Sequence, residues 1–142
     1  MKELRTEIEI NASPERVWQI LTDTEKFPQW NPFIHSLKGN LVKGETIEVF
    51  LGESGTKGMT FRPTVLKVTP NRTLRWLGRL FIGGIFDGEH IFEIEPLDEN
   101  RVRFIQREEF NGLLVPFFNF DSTQRGFEAM NRALKERAEI AS

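Results

Sequence analysis

The sequence contains no cysteine and no tyrosine, and only two histidines, His35 and His90. The first absence removes disulfides, thiolate metal sites and a cysteine nucleophile together. Two imidazoles are too few for a histidine-rich metal centre, so no metal or other cofactor is expected. No run of five like charges occurs, and the net charge of -2 is spread over both signs; a nucleic-acid partner is therefore not expected. No apolar run approaches the roughly 18 residues of a membrane span. The opening stretch MKELRTEIEI alternates charged and apolar residues and does not read as a signal peptide. The expectation is a cytoplasmic protein without stable membrane insertion. Nothing in the sequence sets its oligomeric state.

What the chain does have is aromatic surface. Thirteen phenylalanines and three tryptophans supply large ring faces with no phenol to satisfy, which suits a wide apolar interior. A length of 142 residues is that of one domain, read here as residues 1–142. Such a chain can bury about two thirds of its unfolded surface, so its core needs no staples.

Leu4, Thr6, Ile8 and Ile10 alternate with Glu3, Arg5, Glu7 and Glu9, the pattern of a half-buried strand. In ASPERVWQILTD, Ser13 is a good N-cap and Pro14 fits the first helical position. Val17, Trp18, Ile20 and Leu21 form an apolar stripe. TEKFPQWNPFI is interrupted by Pro28 and Pro32 and predicts a short helix or turn set, with Phe27, Trp30 and Phe33 tucked inward. Six strand-like segments follow: IHSLKG, ETIEVFLG, TFRPTVLKVTP, RTLRWLGRL, EHIFEIEP and RVRFIQREEF. Pro63 places the third at an edge or on a bulge. No long helix separates them, so the sheet should be antiparallel. From about Asp121 to Ile140 a helix is expected, with Asp121 and Gln124 resembling a capping box. Phe127, Met130, Leu134, Ala138 and Ala141 should share its apolar face. The fold class is α+β: a curved antiparallel sheet of seven strands with two short helices after the first, wrapped around a long C-terminal helix. One helix covers the concave face of such a sheet only in part, which leaves a cavity between the layers.

The hairpin GEHIFEIEPLDENRVRFIQREEF carries the main candidate site. Its alternation puts Phe92 and Ile94 on one face with Val102, Phe104 and Phe110, yet the same face carries His90, Gln106 and Glu108. With a three-residue turn, Phe92 opposes Phe104 and His90 opposes Gln106; a shift of two sets His90 opposite Glu108. A shift of one would set Arg103 and Arg107 across from the core residues, which the pattern disfavours. The trio reads either as a hydrogen-bonded core pair or as polar anchors in an apolar pocket. A His90–Glu108 couple would also be able to move a proton, which makes these two the candidate catalytic residues. Arg62 and Arg79 read as solvated strand residues. GESGTKG, residues 52 to 58, lacks the spacing of a phosphate-binding loop and reads as a hairpin turn. Two loops are unusually apolar. One carries Phe81, Ile82, Ile85 and Phe86 around Gly83 and Gly84; the other carries Leu113, Leu114, Val115, Phe117, Phe118 and Phe120. They are either core that packs on itself, a gate over a cavity mouth, or a contact surface for a partner.

SPERVWQILTDTEKFPQWNPFI near the start, the hairpin above and the closing GFEAMNRALKERAE resemble the START-like or SRPBCC superfamily, also called Bet v 1-like or helix-grip. Within it, the chain is similar to the bacterial polyketide cyclase/dehydrase and lipid-transport-like branch. The resemblance implies a deep apolar cavity under the long helix. His90, Gln106 and Glu108 would anchor a ligand there. Phe92, Phe104 and Trp76 from the strands, Phe127 and Met130 from the helix, and Trp30 at the rim would line it. The function so implied is binding of a hydrophobic small molecule, lipid-like or polycyclic aromatic. A polyketide cyclase or dehydratase using His90 and Glu108, and a protein-interaction module of the chaperone-ATPase-activator type, are the alternatives, and whether the chain is an enzyme stays open.

Overall fold

The computed structural model describes residues 1–80 and 83–140. Strand β1 (Lys2–Ile10) leads into helix α1 (Pro14–Thr22), a 3-10 turn (Thr24–Lys26) and the single-turn helix α2 (Phe27–Trp30). Strands β2 (Ile34–Lys38), β3 (Glu48–Leu51), β4 (Met59–Phe61), β5 (Thr64–Thr69), β6 (Thr73–Leu80), β7 (Phe86–Asp98) and β8 (Arg101–Asn111) follow. After a second 3-10 turn (Val115–Phe117), helix α3 (Asp121–Glu139) closes the described chain.

Helix α1 starts where its sequence says it should. Ser13 is its N-cap, and its hydroxyl accepts from the Arg16 N–H at 3.1 Å, with Pro14 in the first turn. Helix α3 starts differently. Its N-cap is Phe120, and the expected Asp121–Gln124 capping box does not form. The Asn119 side chain accepts from the Asp121 N–H instead, at 2.9 Å. Asp121 is already inside the helix, where its charge still faces the favourable end of the dipole.

The expected seven-stranded sheet is not what forms. Among the described residues there are eight strands in two sheets, β1-β8-β7-β6-β5 and β2-β3-β4, all pairings antiparallel. The difference arises at Pro63, where one anticipated strand breaks into β4 and β5. A proline has no N–H to give to a ladder and restricts the residue before it. The chain therefore changes sheet at this point. The seam is bridged by the Ile47 N–H to the Pro63 carbonyl (3.0 Å) and the Val65 N–H to the Glu45 carbonyl (2.9 Å).

Helix α3 buries Phe127, Met130, Leu134 and Ala138 against the five-stranded sheet and α1; Ala141 lies outside the described residues. Gly126 relieves crowding on the same helix: a Cβ there would run into the ring of Phe33. The hairpin of β7 and β8 turns at Glu99 and Asn100, with an irregularity between Pro96 and Asp98. That shift selects one of the two registers open from the sequence: His90 faces Glu108, and Phe92 faces Gln106.

Candidate functional site

The inward row of the sheet changes character along its length. At one end Ile94 opposes Phe104 and Leu74 opposes Phe92, all buried. In the middle Trp76 opposes His90, and His90 opposes Glu108. Beyond them Gly78 opposes Gly88, and Gly88 opposes Phe110. Two facing glycines leave a patch of sheet without side chains, and a cavity of about 390 Å³ stands over it. Its walls come from Trp76, Phe86, Phe110 and Phe120, and from Val49 and Met59 of the smaller sheet. Its only ionisable described lining residues are Glu53, His90 and Glu108. The volume falls in the range of small-molecule sites, about 300–1,000 Å³.

His90 and Glu108, at the cavity edge, belong to one continuous hydrogen-bonded network that runs into the core. The His90 Nδ1 lies 3.0 Å from Glu108 Oε1, and its Nε2 lies 2.9 Å from Gln106 Oε1. His90 therefore meets both partners between which the sequence left a choice. Gln106 Nε2 donates to Asn131 Oδ1 at 2.8 Å, and Asn131 Nδ2 donates to Thr6 Oγ1 at 2.8 Å. The Thr6 hydroxyl in turn donates to the main-chain carbonyl of Gln106 at 2.8 Å. Thr6, His90, Gln106 and Asn131 are all buried, so each unmade bond here would cost about 1–3 kcal/mol. The imidazole is held between rings: Trp76 stacks on it at 5.4 Å, Phe92 stands at 4.6 Å, and Phe127 meets it edge-on at 5.0 Å.

That network sets the direction of its own hydrogen bonds. A main-chain carbonyl only accepts, so Thr6 must donate to it and accept from the Asn131 amide. Asn131 then presents its oxygen to the Gln106 amide nitrogen, and Gln106 presents its oxygen to His90. Nε2 of His90 is therefore the protonated nitrogen. A neutral ring with its proton on Nε2 has a bare lone pair at Nδ1, which faces a carboxyl oxygen. The 3.0 Å contact between them requires one shared proton: either an imidazolium beside a carboxylate or an imidazole beside a carboxylic acid. The other carboxyl oxygen, Oε2, lies over Gly88, where a Cβ would collide with it, and the residue borders the cavity.

A second polar element closes the cavity from the opposite side. Glu53, in the loop between β3 and β4, accepts from Arg125 Nε at 2.7 Å and Nη2 at 3.2 Å, and from Ser122 Oγ at 2.9 Å. The clasp ties that loop to the first turns of α3. The Arg125 and Ser122 hydrogen bonds hold the Glu53 carboxyl below its ordinary range, and Glu53 holds the Arg125 guanidinium above its own. Arg62 and Arg79 face outward, near Glu48 (2.9 Å) and Asp87 (3.6 Å) respectively.

The other sequence candidates separate into groups. Trp76, His90 and Glu108 border the cavity. Phe92, Phe104, Gln106, Phe127 and Met130 lie behind the His90 layer as filled core and do not reach the cavity wall. Trp30 is remote from it. It stands edge-on to Phe27 at 5.5 Å and borders a separate hollow with Arg16 and Arg137, because Pro28 and Pro32 turn the chain away at that end.

The two apolar loops join each other through the Leu113 N–H to the Gly84 carbonyl (3.1 Å) and the Leu114 N–H to the Ile85 carbonyl (3.0 Å). Phe86 and Phe118 meet at 4.5 Å and both line the cavity. Leu113 and Phe117 point away from it, 74% and 82% exposed. Phe81 and Ile82 lie outside the described residues. Thr6, Gly78, Gly88 and Asn131 were not singled out from the sequence. Thr6 and Asn131 do sit on the apolar faces of β1 and α3, and that displaced polarity was the available signal.

Among curated proteins, none matches the sequence. Several solved structures share the fold. The Aha1 dimer from Colwellia psychrerythraea is 23% identical with a TM-score of 0.74, covering 100% of this chain and 99% of that one. A START superfamily protein from Mycobacterium smegmatis is 20% identical with a TM-score of 0.73, covering 99% of each. The ZhuI aromatase/cyclase from Streptomyces sp. R1128 is 15% identical with a TM-score of 0.75, covering 97% of this chain and 93% of that one. At these identities they establish the fold, α+β with a C-terminal helix over an antiparallel sheet. The family model described as polyketide cyclase / dehydrase and lipid transport matches residues 1–139, and the chain belongs to that family.

Proposed function

We propose that the chain binds an apolar small molecule, lipid-like or polycyclic aromatic, in the cavity above the Gly78–Gly88 pair. The observation that carries this reading is the cavity of about 390 Å³, walled mostly by rings and aliphatic groups, with the His90–Glu108 couple on one edge and the polar group around Glu53 on another. Apolar walls with few placed polar groups are the usual composition of a ligand site. Trp76, Phe86, Phe110 and Phe120 supply contact area, and Glu108, backed by His90, supplies orientation. The Glu53–Arg125 clasp and the paired loops around Phe86 and Phe118 form the rim through which a ligand enters. Native mass spectrometry of protein purified from cells, with organic extraction of what is bound, tests the reading. A bound apolar mass released by solvent is the expected result; protein that is always empty and takes up no added apolar probe contradicts it.

A second reading rests on one further observation. Glu108 Oε2 is directed at Gly88 beside the cavity while Oε1 is paired with His90. A proton taken from a bound substrate at Oε2 would be balanced by the shared proton settling on Nδ1, which is general base catalysis by a carboxylate supported by an imidazole. Such chemistry suits a cyclase, dehydratase or isomerase. Glu108→Gln would then abolish turnover while holding substrate affinity within about tenfold. Parallel loss of both returns Glu108 to a binding role alone.

A further inference from the structure

The polar side of the cavity does more than add polarity, because its hydrogen-bond direction is determined. We infer that Glu108 Oε2 is an acceptor in both proton placements open to the His90–Glu108 couple, and that the cavity therefore selects apolar molecules carrying a hydrogen-bond donor: a phenol, an alcohol or an amine. The inference rests on the cavity being the binding site, as proposed above.

His90 Nε2 is committed as a donor to Gln106 Oε1, at 2.9 Å, by a chain of bonds that ends on the Gln106 main-chain carbonyl. The one proton of the couple must lie on the line between Nδ1 and Oε1, which are 3.0 Å apart. In the imidazolium–carboxylate form, Oε2 carries no proton. In the imidazole–carboxylic acid form the proton is on Oε1, and Oε2 is the carbonyl oxygen. Oε2 accepts in either case. It has no hydrogen-bond partner among the described residues, and Gly88 is what gives it room.

A ligand donor placed there completes the network. A ligand acceptor at the same place, an ether, a ketone or a carboxylate, would set oxygen against oxygen and leave both unsatisfied. The cavity also meets Thr56, Asn119, Ser122 and Thr123 on the side of Glu53; of these, the Thr56 hydroxyl donates to the Glu53 carbonyl at 2.6 Å and the Ser122 hydroxyl to its carboxylate at 2.9 Å. No lysine or arginine is among the described residues that line the cavity, and Arg125 nearby is already engaged by Glu53 at 2.7 Å. A ligand carboxylate therefore finds no cation waiting. A site built to bond a hydroxyl rejects the analogue without it far more strongly than a merely apolar site would.

The test uses three probes that share a ring system: naphthalene, 2-naphthol and 2-methoxynaphthalene. The two oxygenated probes differ in whether the oxygen carries a proton, and the ether is the more apolar of them. Trp76 lines the cavity, so quenching of its fluorescence reports occupancy, with Trp18 and Trp30 replaced by Phe to isolate it. The otherwise unaltered protein is expected to prefer 2-naphthol over 2-methoxynaphthalene by at least about tenfold, the loss typical of a buried polar group left unpaired. Glu108→Leu should erase the preference. Glu108→Gln should keep its direction, since the amide nitrogen can donate to Nδ1 while its oxygen faces the cavity. Equal affinity for both probes in the wild type, or preference for the ether, overturns the acceptor assignment and leaves the binding reading standing. Failure of all three probes to bind overturns the binding reading and this inference with it. The wild-type panel decides the matter even if Glu108→Leu fails to fold.

Discussion

The inner and outer halves of the space beneath α3 are built from the same strands with the same alternation, yet one is solid and the other open. In the inner half Phe92, Phe104, Phe127 and Met130 fill the volume. In the outer half the corresponding row reads Gly78, Gly88 and Phe110, and side chains stand around a space without filling it. The distinction is one of volume at facing positions, since strand pairing continues through both. Between the halves lies the Thr6–Asn131–Gln106–His90–Glu108 chain, buried at its inner end and bordering the cavity at its outer one. A solid half anchors the fold, and that stability lets the other half remain open.

Substitutions in the two halves should differ in what they cost. The largest effect is expected from the solid half. Phe127→Ala should cost about 3–5 kcal/mol of unfolding free energy, the cost of a cavity in a close-packed core. Equilibrium denaturation measures it, and a loss below about 1 kcal/mol would mean the inner half is loosely packed. Next comes the boundary. Gln106→Leu leaves the His90 Nε2–H and the Asn131 oxygen without their partner, which should cost about 1–3 kcal/mol in the same assay. The change should also release the His90 ring, visible as a changed imidazole tautomer in nitrogen NMR.

The smallest effect belongs to the open half's rim. The Glu53 carboxyl is held below its ordinary range chiefly by the Arg125 hydrogen bond. A depressed carboxylate contributes above its unfolded-state pKa and loses that contribution as pH falls through the folded-state one. Ligand release measured by stopped flow should therefore quicken as the solution is acidified below the usual carboxylate range. Glu53→Gln should release faster at neutral pH and show a flatter profile. An unchanged wild-type profile would show that the clasp does not hold the rim.

The parts of this structure that depend on local chemistry were legible in the sequence. Ser13 and Pro14 announce α1, and the alternation from Glu89 to Phe110 announces a hairpin with a polar trio on its inner face. What depended on long-range geometry was not. Pro63 signalled an interruption, but whether it bulged a strand or passed the chain to a second sheet is decided by the seam with Glu45 and Ile47. The register of the hairpin turned on an irregularity between Pro96 and Asp98. The candidate site was legible only in its polar half. Gly78 and Gly88 are ordinary glycines until β6 and β7 pair and set them face to face. That single pairing moves the cavity away from Phe92, Phe104, Phe127 and Met130, where the sequence had placed it. Asn131 and Thr6 become meaningful only when α3 is laid across β1.

If the open half is the proposed binding site, the facing Gly78 and Gly88 are what keep it open. A Cβ added to Gly78 would have as its nearest neighbours the Gly88 carbonyl oxygen and the Pro63 side chain, each at 3.9 Å, so a side chain starts there at ordinary contact distances, on a residue that lines the cavity. The direct measurement is the affinity of wild type and Gly78→Leu for 2-naphthol, with unfolding free energies measured in parallel. The account predicts saturable single-site binding to the wild type, weakened at least about tenfold in Gly78→Leu, with stability changed by less than about 1 kcal/mol. Equal affinity in the two proteins would contradict it.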